Sequence, residues 1–411
     1  MSVTRRRFIS RATAAAIGAG VSISLFDRSL VGGATNLTSD GRYGPLGPPD
    51  SNAIRLPDGF TSRLLATARQ PVPDTDFTWR PSPDGGACFA LPDGGWVYVA
   101  NHELSNGQGG VSAIRFANDG TTVDAYSILT GTSRNCSGGP TPWNTYLSCE
   151  EHSTGQVFEC NPFEPGEGVV RPLLGTFDHE AAVVDPATSA VYLTEDLPDG
   201  RLYRFTPAVA GQLDAGFLEA ASVDLAGIAN AASAVTWLPV STDAPDRSTA
   251  TTVFNGGEGA WVHRGRLLFT TKGDQRVWEI DLGAQMLRLV HDCRAHPDLE
   301  LDAVDAVIVH EGSGDILVAE DGGNLQLGLI EERRDDTIAV STFLQFVGHE
   351  QSEVTGVAFN PAGDRLYVSS QRGSGETGAG TTFEITGPFV QRTGPSSVPI
   401  EGLRPAVRLP S

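Results

Sequence analysis

The chain has 411 residues and a formal net charge of −21, with 50 Asp and Glu against 29 Lys and Arg. That length is compatible with a sizeable buried core, and that charge argues against a general nucleic-acid binder, which needs clustered Lys and Arg on the phosphates. The surplus acids leave carboxylates available to hold cations, although simple solubility accounts for most of them.

In chain order, Thr4 to Ser10 (TRRRFIS) form a twin-arginine element, followed by a weakly apolar run from Ala12 to Phe26. This reads as a Tat signal peptide over 1–34, with the Tat translocase as the export partner and with cleavage near Ala34 or retention as an anchor as the two alternatives. The run is too short and too weakly apolar for a confident transmembrane helix. The mature protein is therefore expected in the periplasm, at the cell surface or outside the cell, without a stable membrane span. Residues 35–58 are polar and rich in Pro and Gly and read as a linker, leaving 59–411 as a single domain.

Within that domain one pattern recurs six times: a short apolar strand, a turn on Asp, Gly or Pro, a second strand ending in a polar pair, then a third strand with an aromatic. The clearest copies are EVTGVAFNPAGDRLYVSSQRG (353–373) and HEAAVVDPATSAVYLTEDLPDGRLYRF (179–205). The others start at Gly85, Asn135, Glu258 and Val304. Short strands with period-two alternation, repeated around the chain, predict an all-β, six-bladed β-propeller with a metal site in its central channel. Fourth strands are expected at 121–129, 285–291 and 337–346, and the alanine-rich insert from Ala208 to Asn255 is expected to hold loops or a short helix.

Radial repetition brings equivalent positions together despite their separation in sequence. At the starts of the inner strands stand Cys136, Glu180 beside His179, Glu258, Asp302 with Asp305, and Glu353. At the ends of the second strands stand Glu103, Glu150 with Glu151, Glu195 with Asp196, Asp274, and Glu320 with Asp321. So many acids around one axis repel unless cations neutralise them. For the second set, solvated turn chemistry is the competing reading. Carboxylates alone suit calcium, and a thiolate with carboxylates suits iron or another transition metal. Cys149 and Cys160 lie on one predicted hairpin and are candidates for a disulfide, with Cys136 free and Cys88 and Cys293 either buried or paired. No Gly-x-Ser-x-Gly elbow, P-loop or HExxH zinc motif occurs in the chain.

The twin-arginine start, NHE at 101–103, NCSGGPTPWNTYLSCEE at 135–151, DHEAAVVDP at 178–186, YLTEDLPDGRLYRF at 192–205 and AEDGGNLQ at 319–326 resemble the PhoX family of bacterial alkaline phosphatases. The resemblance covers most of the chain after the linker, and the Asn-Cys-x-Gly-Gly-x-Thr-Pro-Trp string is its most specific part. It implies a six-bladed propeller whose channel holds an iron and calcium cluster and hydrolyses small-molecule phosphate monoesters. It further implies Cys136 as an iron ligand, Glu103, Glu180 and Glu258 as iron or cluster ligands, and Glu150, Glu195, Asp196, Glu320 and Asp321 at calcium or on the rim.

The chain is shorter than full-length members of that family. It also carries Gly256, Gly257 and Glu258 where an Arg-Pro-Glu string is expected. Lys272 and Arg372, at the ends of second strands, are the candidates to replace the missing positive charge toward phosphate oxygens; ordinary surface cations are the competing reading. The implied chemistry is attack by a metal-activated water or oxide, with no side-chain nucleophile. A metal-dependent hydrolase of lactones or other esters, and a non-catalytic binding propeller, remain as alternatives.

Overall fold

Each copy of the repeat folds into an antiparallel meander in the computed structural model, which describes residues 37–390 except 40, 300, 334–337 and 375–379. The twin-arginine element and the apolar run after it lie outside the described residues. Among the described residues no helix is long and apolar enough to cross a membrane.

In the first meander Pro83–Ala90 pairs with Trp96–His102, which pairs with Gly109–Phe116, which pairs with Thr122–Thr132. Every residue of Trp96–His102 is buried. Sheets covered on both faces need apolar strands, and Trp96 to Ala100 meets that demand. The buried Asn101 donates to the Cys136 and Ser137 carbonyls, and His102 Nδ1 bonds the Pro81 carbonyl.

The strands form five sheets in place of six separate ones. Two meanders, His179–Val184 onward and Gly257–His263 onward, merge into one nine-stranded sheet. The link is Ser233–Pro239, which pairs with Gly216–Val223 on one side and with Met286–Asp292 on the other. The insert from Ala208 to Asn255 thus supplies two strands and, among the described residues, no helix. Fourth strands appear where expected, at Thr122–Thr132, Met286–Asp292 and Ile338–Phe346.

The innermost strands close a circle. Pro83–Ala90 neighbours Asn135–Pro140, then His179–Val184, Gly257–His263, Val304–Val309 and Val354–Phe359, which returns to Pro83–Ala90. The fold is therefore all-β and propeller-like, with its core packed between radiating sheets. Tyr98 and Tyr367, from the first and last meanders, stack with ring centroids 4.7 Å apart. Chain closure comes from Thr61–Thr67, which pairs with Thr381–Thr386 and joins the two ends of the domain.

Two expectations need correction. The 35–58 segment, expected to be a linker, packs on the domain: Ile54–Arg55 pairs with Ile338–Phe346, and Ile54 is fully buried. The disulfide does not form, and all five cysteines are free. Cys149 pairs with Val157 and Cys160 with Tyr146, an odd offset that sends the two thiols to opposite faces of the sheet.

Candidate functional site

In all six meanders the register between the inner and second strands slips near its start, directly after the opening pair in five and one pair later in the last. The slips fall at Pro83/Gly86, Asn135/Gly138, His179/Ala182, Gly257/Ala260, Val304/Val307 and Thr355/Ala358. A bulge re-aims the residues that leave the ladder. The first residue past the opening pair is Asp84, Cys136, Glu180, Glu258 and Asp305 in five meanders and Thr355 in the sixth. The residue after it is always small: Gly85, Ser137, Ala181, Gly259, Ala306 and Gly356. Space at the hub explains this, since a Cβ on Gly85 would meet Ser137 Cα at 2.6 Å and one on Gly259 would meet Ala306 Cα at 2.6 Å. Facing these bulges, the residue just past the second strand's pairing position is Glu103, Glu151, Asp196, Lys272, Asp321 or Gln371.

The two sets meet at the hub as four overlapping triads, each with ligand atoms within 4.8 Å of one another: Cys136, Glu151 and Glu180; Glu180, Glu258 and Asp305; Asp305, Asp321 and Glu353; Asp84, Glu103 and Glu353. Of the residues predicted from sequence, Cys136, Glu103, Glu180, Glu258, Asp321 and Glu353 come together here. Asp196 reaches the ring only through Lys272, whose Nζ lies 3.6 Å from its Oδ2, 2.7 Å from Glu258 Oε1 and 3.5 Å from Asp321 Oδ2. Arg372 Nη2 lies 3.2 Å from Glu353 Oε1.

Glu150, Glu195 and Glu320 stay out of the triads and brace turns instead. Each accepts a hydrogen bond from the backbone N–H six positions on, at Gln156, Arg201 and Gln326. Glu195 also accepts from Tyr203 Oη and pairs with Arg247 at 2.7 Å. In the acid pairs Glu150–Glu151, Glu195–Asp196 and Glu320–Asp321, the first residue thus holds the turn and the second points to the hub.

Asp84 belongs to the ring but was not named from the sequence, and Glu151 and Asp305, expected among the acids around the axis, were given no ligand role there. Asp84 sits in a Pro-Asp-Gly-Gly string that reads as a turn, and only its place in the repeat, aligned with Cys136 and Glu180, marks it. Arg134 was also missed; it pairs with Glu151 at 2.8 Å and Glu103 at 3.4 Å. Gln371 Nε2 donates to Asp84 Oδ2 at 2.6 Å and to Glu103 Oε2 at 3.0 Å.

The electrostatics are strained toward neutral acids. Burial, then the neighbouring Glu258 carboxylate, raises Glu180 well above the usual range; burial and Asp305 do the same to Glu258, and burial and Asp84 to Glu353. Burial pushes Glu151 up to about 7 against the pull of Arg134, and Asp305 up to about 6 against that of Lys272. The Cys136 thiol is held up by burial and by Asp84. Nine carboxylates (Asp84, Glu103, Glu151, Glu180, Asp196, Glu258, Asp305, Asp321, Glu353) and one thiol face three cations, Arg134, Lys272 and Arg372. Among the described residues no cation pairs with Glu180 or Asp305, whereas the buried Glu258 Oε1 has a cation, Lys272, at 2.7 Å. Oxygen donors in excess of cations and one soft sulfur form a donor set that suits metal ions.

Comparison with known proteins bears on this arrangement. No curated protein matches the chain. Among solved structures, Pseudomonas fluorescens PhoX in complex with vanadate, a transition state analogue, superposes with a TM-score of 0.67 at 18% identity, covering 86% of this chain and 98% of that one. A gluconolactonase from Xanthomonas campestris gives a TM-score of 0.45 at 13% identity, covering 84% and 98%. At 18% identity the likeness to the first of these is one of fold. The family model for alkaline phosphatase PhoX matches residues 108–156 and 152–266, a span that includes Cys136, Glu151, Glu180 and Glu258. Over residues 108–266 the chain is similar to the PhoX family.

Proposed function

We propose that this chain is an exported, metal-dependent phosphatase that hydrolyses phosphate monoesters at the hub of a six-bladed propeller. The six inner strands, with the nine-stranded sheet counted as two meanders, support the blade number. The observation that carries the reading is the uncompensated acid at the hub, above all Glu180 and Asp305, which have no ion pair among the described residues. Iron is assigned to the side of the ring that offers sulfur, at Cys136, Glu151 and Glu180. Calcium is assigned to the all-oxygen side, at Asp84, Glu103, Asp321 and Glu353. Bound ions would supply Lewis acidity and a water of lowered pKa.

The chain's own residues supply the rest. Arg134 and Arg372 have side chains 39% and 43% exposed and so face solvent at the rim while leaning on ring acids. In this reading they bind the phosphoryl oxygens that the absent blade-four arginine would otherwise hold. The hub carboxylates fix their positions. The twin-arginine element at 4–10 supports export through the Tat translocase.

The test is metal content and phosphatase activity of Cys136→Ala and Glu258→Gln, assayed on phosphomonoesters beside lactones. Folded, metal-depleted, inactive variants are expected. Full iron and full phosphatase activity in either variant would overturn the reading, and a wild-type preference for lactones would replace phosphatase by esterase chemistry.

A further inference from the structure

Lys272 holds a place in the ring that an acid or amide holds in every other meander. The residues past the second-strand pairing position run Glu103, Glu151, Asp196, Lys272, Asp321 and Gln371. One turn of the hub therefore presents an ammonium where its neighbours present ligand oxygens. Lys272 Nζ is not directed outward: it lies 2.7 Å from Glu258 Oε1, 3.5 Å from Asp321 Oδ2 and 3.6 Å from Asp196 Oδ2. It is enclosed by carboxylates from its own meander and from both neighbours.

We infer that Lys272 is a built-in counter-cation that fills the place of one divalent ion between Asp196, Glu258 and Asp321. The inference rests on the ring being a metal centre and specifies which sector of it the chain keeps for itself. An ammonium has three donors and a radius that suits a cage of oxygens, and it cannot dissociate. Carboxylates from three meanders would otherwise need a multivalent ion to sit this close. Burial supports this: Glu258 is 2% exposed, and a carboxylate so far from water needs the fixed positive partner that lies 2.7 Å from its Oε1. Metal ions are then confined to the sectors around Cys136, Glu180, Asp84 and Glu353. The positive charge toward Asp196 and Asp321 is permanent and independent of metal supply.

The experiment is metal stoichiometry of the full chain, by equilibrium dialysis against calcium and against manganese followed by elemental analysis. Wild type, Lys272→Met and, as a control away from the hub, Arg115→Gln, whose partner is the exposed Asp93, are compared, with thermal midpoints taken in parallel. Lys272→Met should bind one divalent ion per chain more than wild type, and its midpoint should rise with added calcium more than that of wild type. Arg115→Gln should leave the stoichiometry unchanged. A folded Lys272→Met protein with unchanged or lower stoichiometry would overturn the inference. Should Lys272→Met fail to fold without metal, Lys272→Gln, which keeps a donor, is measured in its place by the same criterion. Phosphatase activity is a separate readout, so loss of the phosphatase reading leaves the ion count standing or falling on its own.

Discussion

Cys136 Sγ lies 3.6 Å from Asp84 Oδ2, the thiol donating, although the two residues sit on adjacent inner strands and 52 positions apart in sequence. Neither could be assigned to the other from local pattern, because only closure of the propeller brings their bulges side by side. The contact also divides the ring, with sulfur on one side and oxygen alone on the other.

That division gives the first prediction. Cys136→Ser removes the one soft ligand while keeping the size of the side chain and a hydrogen-bond donor toward Asp84. Elemental analysis should find iron lost and calcium largely kept, and any thiolate-to-metal absorption band should vanish. Equal loss of both metals would mean that the ring acts as one undivided cluster.

A second prediction concerns pH. Burial raises Asp84, Glu180, Glu258 and Glu353 in the folded protein, holds Glu151 up at about 7 and holds Asp305 up at about 6. In the unfolded chain these acids lose their protons near pH 4. Between about pH 4 and about pH 7 the folded state therefore binds more protons than the unfolded one, and stability falls as pH rises. The thermal midpoint of chelator-treated protein should decline across that window, and calcium added at neutral pH should restore it. A profile that rises with pH would contradict the burial of these acids without metal.

The third prediction separates the two members of an acid pair. Glu195 accepts from Arg201 N–H at 3.0 Å and Tyr203 Oη at 3.0 Å and pairs with Arg247, so Glu195→Ala strands buried donors. It should lower stability by roughly 1–3 kcal/mol while leaving the metal count intact. Asp196→Ala, next to it in sequence, should cost little stability, because it removes one of three Lys272 contacts and leaves the 2.7 Å pair with Glu258. Denaturant unfolding and metal analysis of both variants check the assignment; an unchanged midpoint for Glu195→Ala would refute the bracing role.

Much of this was legible in the sequence. Period-two strands bounded by Asp, Gly and Pro turns announced the meanders, and radial repetition announced that Cys136, Glu180, Glu258 and Glu353 would converge. The closing strand Thr61–Thr67 was not legible, because its partner lies at the other end of the domain and nothing local specifies that pairing. The same holds for Ser233–Pro239, whose role as a link between two meanders depends on edges formed elsewhere. Which acid of a pair faces the hub depends on register, and a one-residue slip exchanges their roles. Glu150, Glu195 and Glu320 were read as ligands for that reason, and Asp84 was missed because Pro-Asp-Gly-Gly is also good turn chemistry.

The last prediction tests the hub's packing. Gly259 follows the ring residue Glu258, and a Cβ there would lie 2.6 Å from both Ala306 Cα and Val307 N, backbone atoms of the next inner strand. Neither atom can move without shifting Asp305, so Gly259→Ala must force two inner strands apart. Overpacking of this kind typically costs about 1–3 kcal/mol. The variant should also bind metal less tightly, because Glu258 and Asp305 share a triad and would be moved apart with their strands. Gly283→Ala is the matched control: its nearest neighbour would be Asp281 Oδ1 at 3.4 Å, an ordinary contact on an outer turn. It should stay within about 0.5 kcal/mol of wild type. If denaturant melts find both glycine variants equally stable, the inner strands are not in the tight contact that brings the ring together.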